Sequence, residues 1–374
     1  MRIAVVSIPQ NRRTAFFLEA CDRLGIERKD VQVVSWKSVL NADSNGLGEL
    51  LGDSEIVRLE SPGEDAEVEH QLILRGGGDS DTAELATTDP GRISGMASWY
   101  GGFSSVLRDL AAEAQLSGRQ FVNPPTDVAL MFDKAEAQNH LALAGVPIPE
   151  PMGRPTSFAD LIDSLPNGRG RVFLKPRHGS SASGVVALEI ASPERMQLVT
   201  PVELVEPETS HELPRLYNNL RLTRLSDPTA IARLVDTLCR EPMMAERWFP
   251  KASVGNRSFD LRVVVIGGET EHIVVRTSSS PITNLHLGNA RGDVAEVRAL
   301  MNPDRWEEAM EVCRSAAAAF PSCRYVAVDL MVGSGFRSFA VAEVNAFGDL
   351  LPGIIDERGD DTYAAVLRSL TASA

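Results

Sequence analysis

The sequence predicts an α/β to α+β protein, and three observations point to it. The chain opens strand–helix–strand: RIAVVS (2–7) and VQVVSW (31–36) flank an amphipathic helix over 14–24. From residue 171 onward short apolar runs dominate, several joined by Gly-rich turns, as in mixed or antiparallel sheets. At 374 residues the chain also exceeds one ordinary domain, so two or three packed units are expected.

In the first unit Gly25 stops the opening helix, and loops such as SPGEDAEVEHQ and GGGDSD surround a further predicted strand, QLILR (71–75). A helix is expected from about 103. Asn123, Pro124 and Pro125 punctuate the chain and mark a domain boundary, giving a first domain over 1–122. Thr126 then caps one predicted helix over 127–144, ended by Gly145, and VPIPEP continues extended. Strands follow at RVFLKP, GVVALEI, PMMAERW, DLRVVVIG, HIVVRTS, YVAVDLMV and SFAVAEVN, with helices near 303–319 and 360–371. Residues 191–240 are polar and read as an insertion or cap, with helical segments near 212–220 and 228–239.

Bulk properties exclude several classes of partner. A formal net charge of −14 argues against a nucleic-acid or anionic-membrane surface. Cys21, Cys239, Cys313 and Cys323 form no CxxC pair, which favours a reducing cytosol and no zinc site. The short apolar core of MRIAVVSIPQNRR suits a first strand rather than a signal peptide, and no run approaches the ~20 residues of a membrane helix. The expectation is a soluble cytoplasmic protein.

The stretch FAVAEVNAFGD (339–349) carries Glu343 and Asn345 two residues apart in an apolar strand. Alternation places them on one face with Val341, and buried polar groups need partners. If the hairpin VAVDLMVGSGFRSFAVAEVN centres near Phe336, Asp329 lies across from Glu343. Two facing carboxylates and an amide are hard oxygen ligands suited to magnesium. The alternative is a solvated Asp329 with Glu343 paired to an arginine. In DLRVVVIGGETEHIVVR, a centre near Glu269 sets Arg262 opposite Arg276, with Asp260 placed to orient Arg262. Paired guanidiniums call for an anion between them, or else sit exposed on a sheet edge.

A third stretch, VFLKPRHGSSASGVVAL, ends a strand at Lys175 and enters a loop of small residues. Such a loop lets backbone N–H groups approach a phosphate, although an ordinary flexible hairpin has the same composition. It is not a Walker loop, because the lysine precedes the glycines. His178 alone reads as an exposed loop residue and Lys134 as a solvated helix lysine. MMAERWFP places Glu246 beside Trp248, suiting either a ribose and base or a linker. RTSSSPITNLHLGNARGD is too polar for core and too short of charge for a plain solvated loop.

The ordered set Lys134, Lys175, Glu246, Asp260-Leu-Arg262, Arg276, Asn284, Asp329 and Glu343-Val-Asn345 resembles the ATP-grasp superfamily. The likeness is strongest to the branch of glutathione synthetase, D-alanine–D-alanine ligase and the ribosomal-protein glutamate ligase. FDKAEAQNHLALAGVPIPEP is similar to that family's entry segment, D…ExN to its magnesium signature, and PITNLHLGNARGD to a bacterial branch of it. The resemblance covers about 123–353. It implies a Rossmann-like α/β domain before the grasp, a central lobe at 123–242 with an insertion near 191–240, and a C-terminal lobe at 243–374.

Carried residue by residue, the resemblance implies that Lys134 and Lys175 hold the α- and β-phosphates of ATP. The loop 178–184, with His178, Ser180, Ser181, Ser183 and Gly184, would close over them. Glu246, with Arg247 and Trp248, would sit at the adenine–ribose hinge, and Asp260 beside the phosphates. Asp329, Glu343 and Asn345 would hold one or two Mg2+ ions, with Mn2+ able to substitute. Arg262, Arg276 and Asn284 would attend the transferred phosphoryl group. The implied reaction is ATP-dependent ligation of a carboxylate to an amine or thiol through an acyl phosphate. The alternatives are a small-molecule kinase on the same fold and a non-catalytic ATP-binding regulatory module. Expected partners are a small-molecule or peptide carboxylate and an amine, with homodimerisation implied by the resemblance alone. Arg58, Arg75, Trp99 and Tyr100 are candidates for substrate contact.

Overall fold

The computed structural model describes residues 1–43, 46–179, 182–207, 213–347 and 351–371. The chain begins with β1 (Ile3–Ser7), α1 (Arg12–Arg23), β2 (Val31–Ser35), α2 (Trp36–Asn41), α3 (Gly46–Leu51), β3 (Ile56–Leu59), α4 (Ala66–Arg75), α5 (Ser80–Thr88), α6 (Met96–Ser117) and β4 (Gln120–Phe121). These strands form a parallel sheet in the order β2-β1-β3-β4. QLILR is therefore helix, not strand. Asp65 accepts from the Glu67 and Val68 N–H groups and starts α4, whose Val68, Leu72 and Ile73 face the core. The third strand lies earlier, in IVRL.

Two helices, α7 (Pro125–Phe132) and α8 (Lys134–Leu143), replace the single one expected. The break is at Asp133, which leaves helical geometry at φ −91°, ψ 97° and caps α8 with its own carboxylate. Next come α9 (Phe158–Asp163), β5 (Gly170–Pro176), β6 (Val186–Ser192), β7 (Arg195–Val205), β8 (Arg215–Leu225), α10 (Pro228–Leu238) and β9 (Met243–Arg247). They build an antiparallel sheet ordered β8-β7-β6-β5-β9. The expected cap at 191–240 is thus largely sheet. Within 212–220 the structure has strand from Arg215 on, polar because β8 is an edge strand with one open face; 208–212 lie outside the described residues.

The last part contains β10 (Ser253–Val254), β11 (Arg257–Ile266), β12 (Glu269–Ser278), β13 (Ala290–Gly292), α11 (Val294–Ala318), β14 (Tyr325–Val332), β15 (Phe339–Asn345) and α12 (Thr362–Thr371). Its antiparallel sheet runs β13-β12-β11-β14-β15. The helix expected at 303 starts earlier, at Val294, and kinks where Asn302 (φ 56°) precedes Pro303.

The cores show how the parts join. Val172, Leu188, Leu198, Ile231 and Leu234 form a core within the central sheet and α10. The first and last sheets instead share theirs: Ile3, Val5 and Phe17 pack with Val264, Tyr325 and Tyr363. Buried Asn123 ties the junction, donating to the carbonyls of Tyr325 and Ala346 at 3.1 Å each. Among the described residues no helix is long and apolar enough to cross a membrane.

Candidate active site

The C-terminal sheet brings opposite charges into register. Asp329 on β14 faces Glu343 on β15, as alternation around the turn predicts, and on its other side faces Arg262 on β11. A bulge between Asp329 and Leu330 leaves Ala342 unmatched, so Glu343 and Asn345 line the cavity while Val341 turns into the core. The expectation that Val341 shares their face is corrected by this one extra residue.

The second register also differs from expectation. Arg276 pairs with Asp260, and Arg262 with Val274, because β11 and β12 turn at Gly267–Gly268 rather than around Glu269. The arginines nevertheless converge diagonally. Arg262 forks onto both oxygens of Asp329, with Nη2–Oδ2 at 2.8 Å, and Arg276 Nη1 donates to the same Oδ2 at 3.1 Å. Arg276 Nε also donates to Asp260 Oδ1 at 2.7 Å, so Asp260 orients Arg276 rather than Arg262. Burial alone would raise the Asp329 carboxyl, but the two guanidiniums more than offset it and hold it well below the usual carboxylate range. Burial likewise weakens the Arg276 charge, and Asp260 and Asp329 more than restore it.

The central sheet supplies the opposite wall. Lys175 at the end of β5 pairs with Glu246 on β9, and Gln138 of α8 donates to Glu246 at 2.8 Å. The break at Asp133 sets Lys134 at the start of α8, its ammonium 3.7 Å from Glu343 and bonded to the Gly179 carbonyl. Asp133 itself accepts from Arg177 and lies 3.3 Å from His178 Nε2. The neighbouring His178 and Arg177 hold its carboxyl far below the ordinary range despite burial. His178 is buried rather than exposed, and Tyr100 stacks on its ring at 4.0 Å. It anchors the base of the loop instead of lining the cavity.

Lys134, Lys175, Ser183, Glu246, Asp260, Arg262, Arg276, Asn284, Asp329, Glu343 and Asn345 all line one cavity of about 580 Å³. Ser180 and Ser181 lie outside the described residues. Gly184, at φ 72°, packs so closely on Pro176 that a Cβ would sit 2.6 Å from its Cγ. Arg247 and Trp248 do not join the cavity: Arg247 pairs with Glu150 in solvent, and Trp248 packs edge-on against Phe173. Of the substrate candidates, Trp99 lines the cavity, Arg58 is fully buried, and Arg75 pairs with Asp109.

Sequence reasoning missed Lys251. It enters the same cavity almost fully buried, bonded to Thr283 Oγ1 at 2.8 Å and 3.8 Å from Asp260 Oδ2. Burial pushes its ammonium down to about 8, with Arg276 and Lys175 adding to the fall and Asp260 opposing it. A lysine between a Pro and an Ala carried no periodic or spacing signal.

Solved structures share this architecture. The ATP-grasp ligase PsnB, solved with a phosphomimetic variant of its minimal precursor, Mg and ADP, superposes with a TM-score of 0.56 at 15% identity, covering 99% of this chain and 97% of that one. D-alanine–D-alanine ligase from Bacillus anthracis, solved with ATP, gives 0.50 at 13% identity over 100% and 96%. Biotin carboxylase from Campylobacter jejuni gives 0.57 at 12% identity over 98% and 70%. The chain has the ATP-grasp fold. No family model matches the sequence, and no curated protein matches it.

In this ATP-grasp chain the part of the cavity between the central and C-terminal sheets brings Lys134, Lys175, Lys251, Arg262 and Arg276 against Glu246, Asp260, Asp329 and Glu343. Among the described residues no group of three or more His, Cys, Asp or Glu side chains is arranged around a metal position. The candidate donors are two carboxylates and an amide. Among the described residues Glu343 has only the distant Lys134, which leaves its carboxylate and the Asn345 amide oxygen for a cation, while the buried Asn345 Nδ2, without a partner there, can donate to a phosphate oxygen. These hard donors fit a divalent cation that also takes phosphate oxygens.

Proposed function

We propose that the chain is an ATP-dependent ligase that activates a carboxylate as an acyl phosphate and joins it to an amine or thiol. The convergence of Arg262 and Arg276 on Asp329, itself facing Glu343 within one cavity, carries this reading. A site for phosphoryl transfer needs positive charge arranged before the reaction and shielded from water. Here that charge is buried and held in place by carboxylates on adjacent strands. The nucleotides bound to PsnB and to D-alanine–D-alanine ligase support the placement of ATP.

Lys134 and Lys175 would hold ATP phosphates, Glu246 would meet the ribose, and Asp329, Glu343 and Asn345 would hold Mg2+. When bound, the metal neutralises phosphate charge and aligns the γ-phosphoryl group. A substrate carboxylate oxygen attacks the γ-phosphorus, and the bond to the departing ADP oxygen breaks. The amine nitrogen or thiol sulfur then attacks the carbonyl carbon, phosphate leaves, and the proton of the attacking group passes to it. Arg262 and Arg276, released from Asp329 as metal and phosphate arrive, would hold the phosphoryl oxygens in both steps.

The test is ADP release with ATP and Mg2+ against a panel of carboxylates, with hydroxylamine as the trap. Hydroxamate formed in step with ADP supports the ligase. A phosphorylated alcohol would give the kinase, and tight ATP binding without turnover across the panel would give the regulatory module. Glu343→Ala and Arg262→Ala are expected to abolish ADP release; wild-type rates in either would remove the site assignment.

A further inference from the structure

Buried polar atoms without partners gather at one end of the first sheet. Ser7 Oγ, Arg13 Nε, Arg58 Nη1 and Nη2, and Glu60 Oε2 have no hydrogen-bond partner among the described residues. Ser7 ends β1, and Arg58 and Glu60 stand at the end of the parallel neighbour β3. Arg13 lies in the first turn of α1. Arg58 is 0% exposed and gives only its Nε–H to Glu60, at 2.7 Å, while Phe17, Tyr325 and Tyr363 rings surround the guanidinium at 4.9–5.4 Å. Of these residues only Arg13 lines the cavity described above, so its buried Nε is the donor that a ligand there can reach; Ser7, Arg58 and Glu60 are buried outside the lining.

The location fits a ligand. In the order β2-β1-β3-β4 the connections leave β1 to either side, and the crevice at the carboxyl ends of β1 and β3 is where open parallel sheets bind. Arg12, Arg13, Ser61, Gly63 and Glu64 line that end of the same 580 Å³ cavity that holds the phosphoryl-transfer residues. Glu64 is kept at φ 79°, a conformation a side chain rarely adopts, by Asn11 Nδ2 at 2.6 Å and by its own N–H donating to Glu69 at 3.0 Å. Arg13 reaches Glu64 only at 3.5 Å, and Arg12 has no ion pair among the described residues. The first turn of α1 holds no acid, so two cations sit at the positive end of a helix. An anion would relieve both.

We propose that this end of the cavity is an anion subsite in which Arg12 and Arg13 hold a second carboxylate of the substrate, one that is not phosphorylated. The substrate class is then a dicarboxylic acid, whether free or as an acidic amino acid or peptide. The assignment rests on the ligase reading for the activated carboxylate, and not for the second.

The experiment pairs acids that differ by one carboxylate, such as glutarate with butyrate, in the hydroxamate-trapped ADP assay. The diacid is expected to be preferred by roughly ten- to hundredfold in kcat/KM, as for a hydrogen-bonded charge. Arg13→Met and the exposed Arg12→Met should erase the preference while binding of a non-hydrolysable ATP analogue stays at wild-type strength. Equal turnover of both acids, or a preference that survives both substitutions, overturns the subsite. If no acid of the whole carboxylate panel is turned over, the ligase reading fails on its own. Calorimetric titration of glutarate into the analogue-loaded chain then decides the subsite. Binding weakened in both variants supports it, and no binding to the wild-type chain at tens of millimolar overturns it.

Discussion

Arg262 donates through both Nε and Nη2 to the two oxygens of Asp329, and the backbone register of β11 and β14 sets the two residues directly opposite. The ion pair is therefore fixed by sheet geometry as well as by charge. It also occupies the carboxylate that a metal would need, so filling the site exchanges one set of partners for another.

Asp329→Ala and Glu343→Ala should separate stability from activity. Removing Asp329 leaves two buried guanidiniums without their shared anion, at a cost of about 3–5 kcal/mol. Glu343 is 30% exposed and its nearest cation is 3.7 Å away, so its loss should cost less than about 1 kcal/mol. Urea unfolding at pH 7 checks both, and ADP release should vanish in each.

Lys251 should make stability depend on pH in the alkaline range. Its folded pKa, about 8, lies below the ordinary value of 10.5, so burial of the charged form destabilises the fold below pH 8. Between those values the unfolded chain binds the extra proton, and stability rises with pH. The melting temperature of the wild type relative to Lys251→Met should climb from pH 8 to pH 9.5. A flat difference would show that Lys251 does not titrate in this window.

Phosphate arriving beside Lys251 should restore its charge. Binding of ATP at pH 8.5 is then accompanied by proton uptake, measurable by calorimetry in buffers of different ionisation enthalpy. Lys251→Met should abolish that part of the uptake. Unchanged uptake in the variant would place the proton elsewhere.

Gly184→Ala should weaken nucleotide binding and stability together. The new Cβ would require φ near 72° and would meet Pro176 Cγ at 2.6 Å, within a rigid ring. A loss of about 1–3 kcal/mol is expected, read by thermal unfolding and by the Kd of an ATP analogue.

Much of this site was legible because strands alternate and turns announce themselves. Asp329 opposite Glu343 followed from counting outward from a Gly-rich turn. The same counting failed for Arg262 and Arg276, since moving a turn centre by one residue moves every partner by two. QLILR misled because a short apolar run has no period of its own; Asp65 ahead of it was the helix signal. The break at Asp133 had a local signal that the apolar run masked: its carboxylate accepts from the Ala135 and Glu136 N–H groups, as a helix-starting residue does. Only its support by Arg177 and His178 is distant in sequence. Lys251 was invisible because its environment comes from Thr283 and Asp260.

The shared core of the first and last sheets has a consequence for synthesis. Arg23 and Asp361, paired across 338 positions of sequence, join elements that are synthesised far apart in time. The first sheet emerges from the ribosome with Ile3, Val5 and Phe17 lacking the Tyr325 and Tyr363 that cover them. The central lobe, whose core is mostly its own, can fold in the interval. Contacts this distant close slowly. The nascent first sheet therefore waits for residues 325–367, and truncation near residue 320 should leave a chain that chaperones retain.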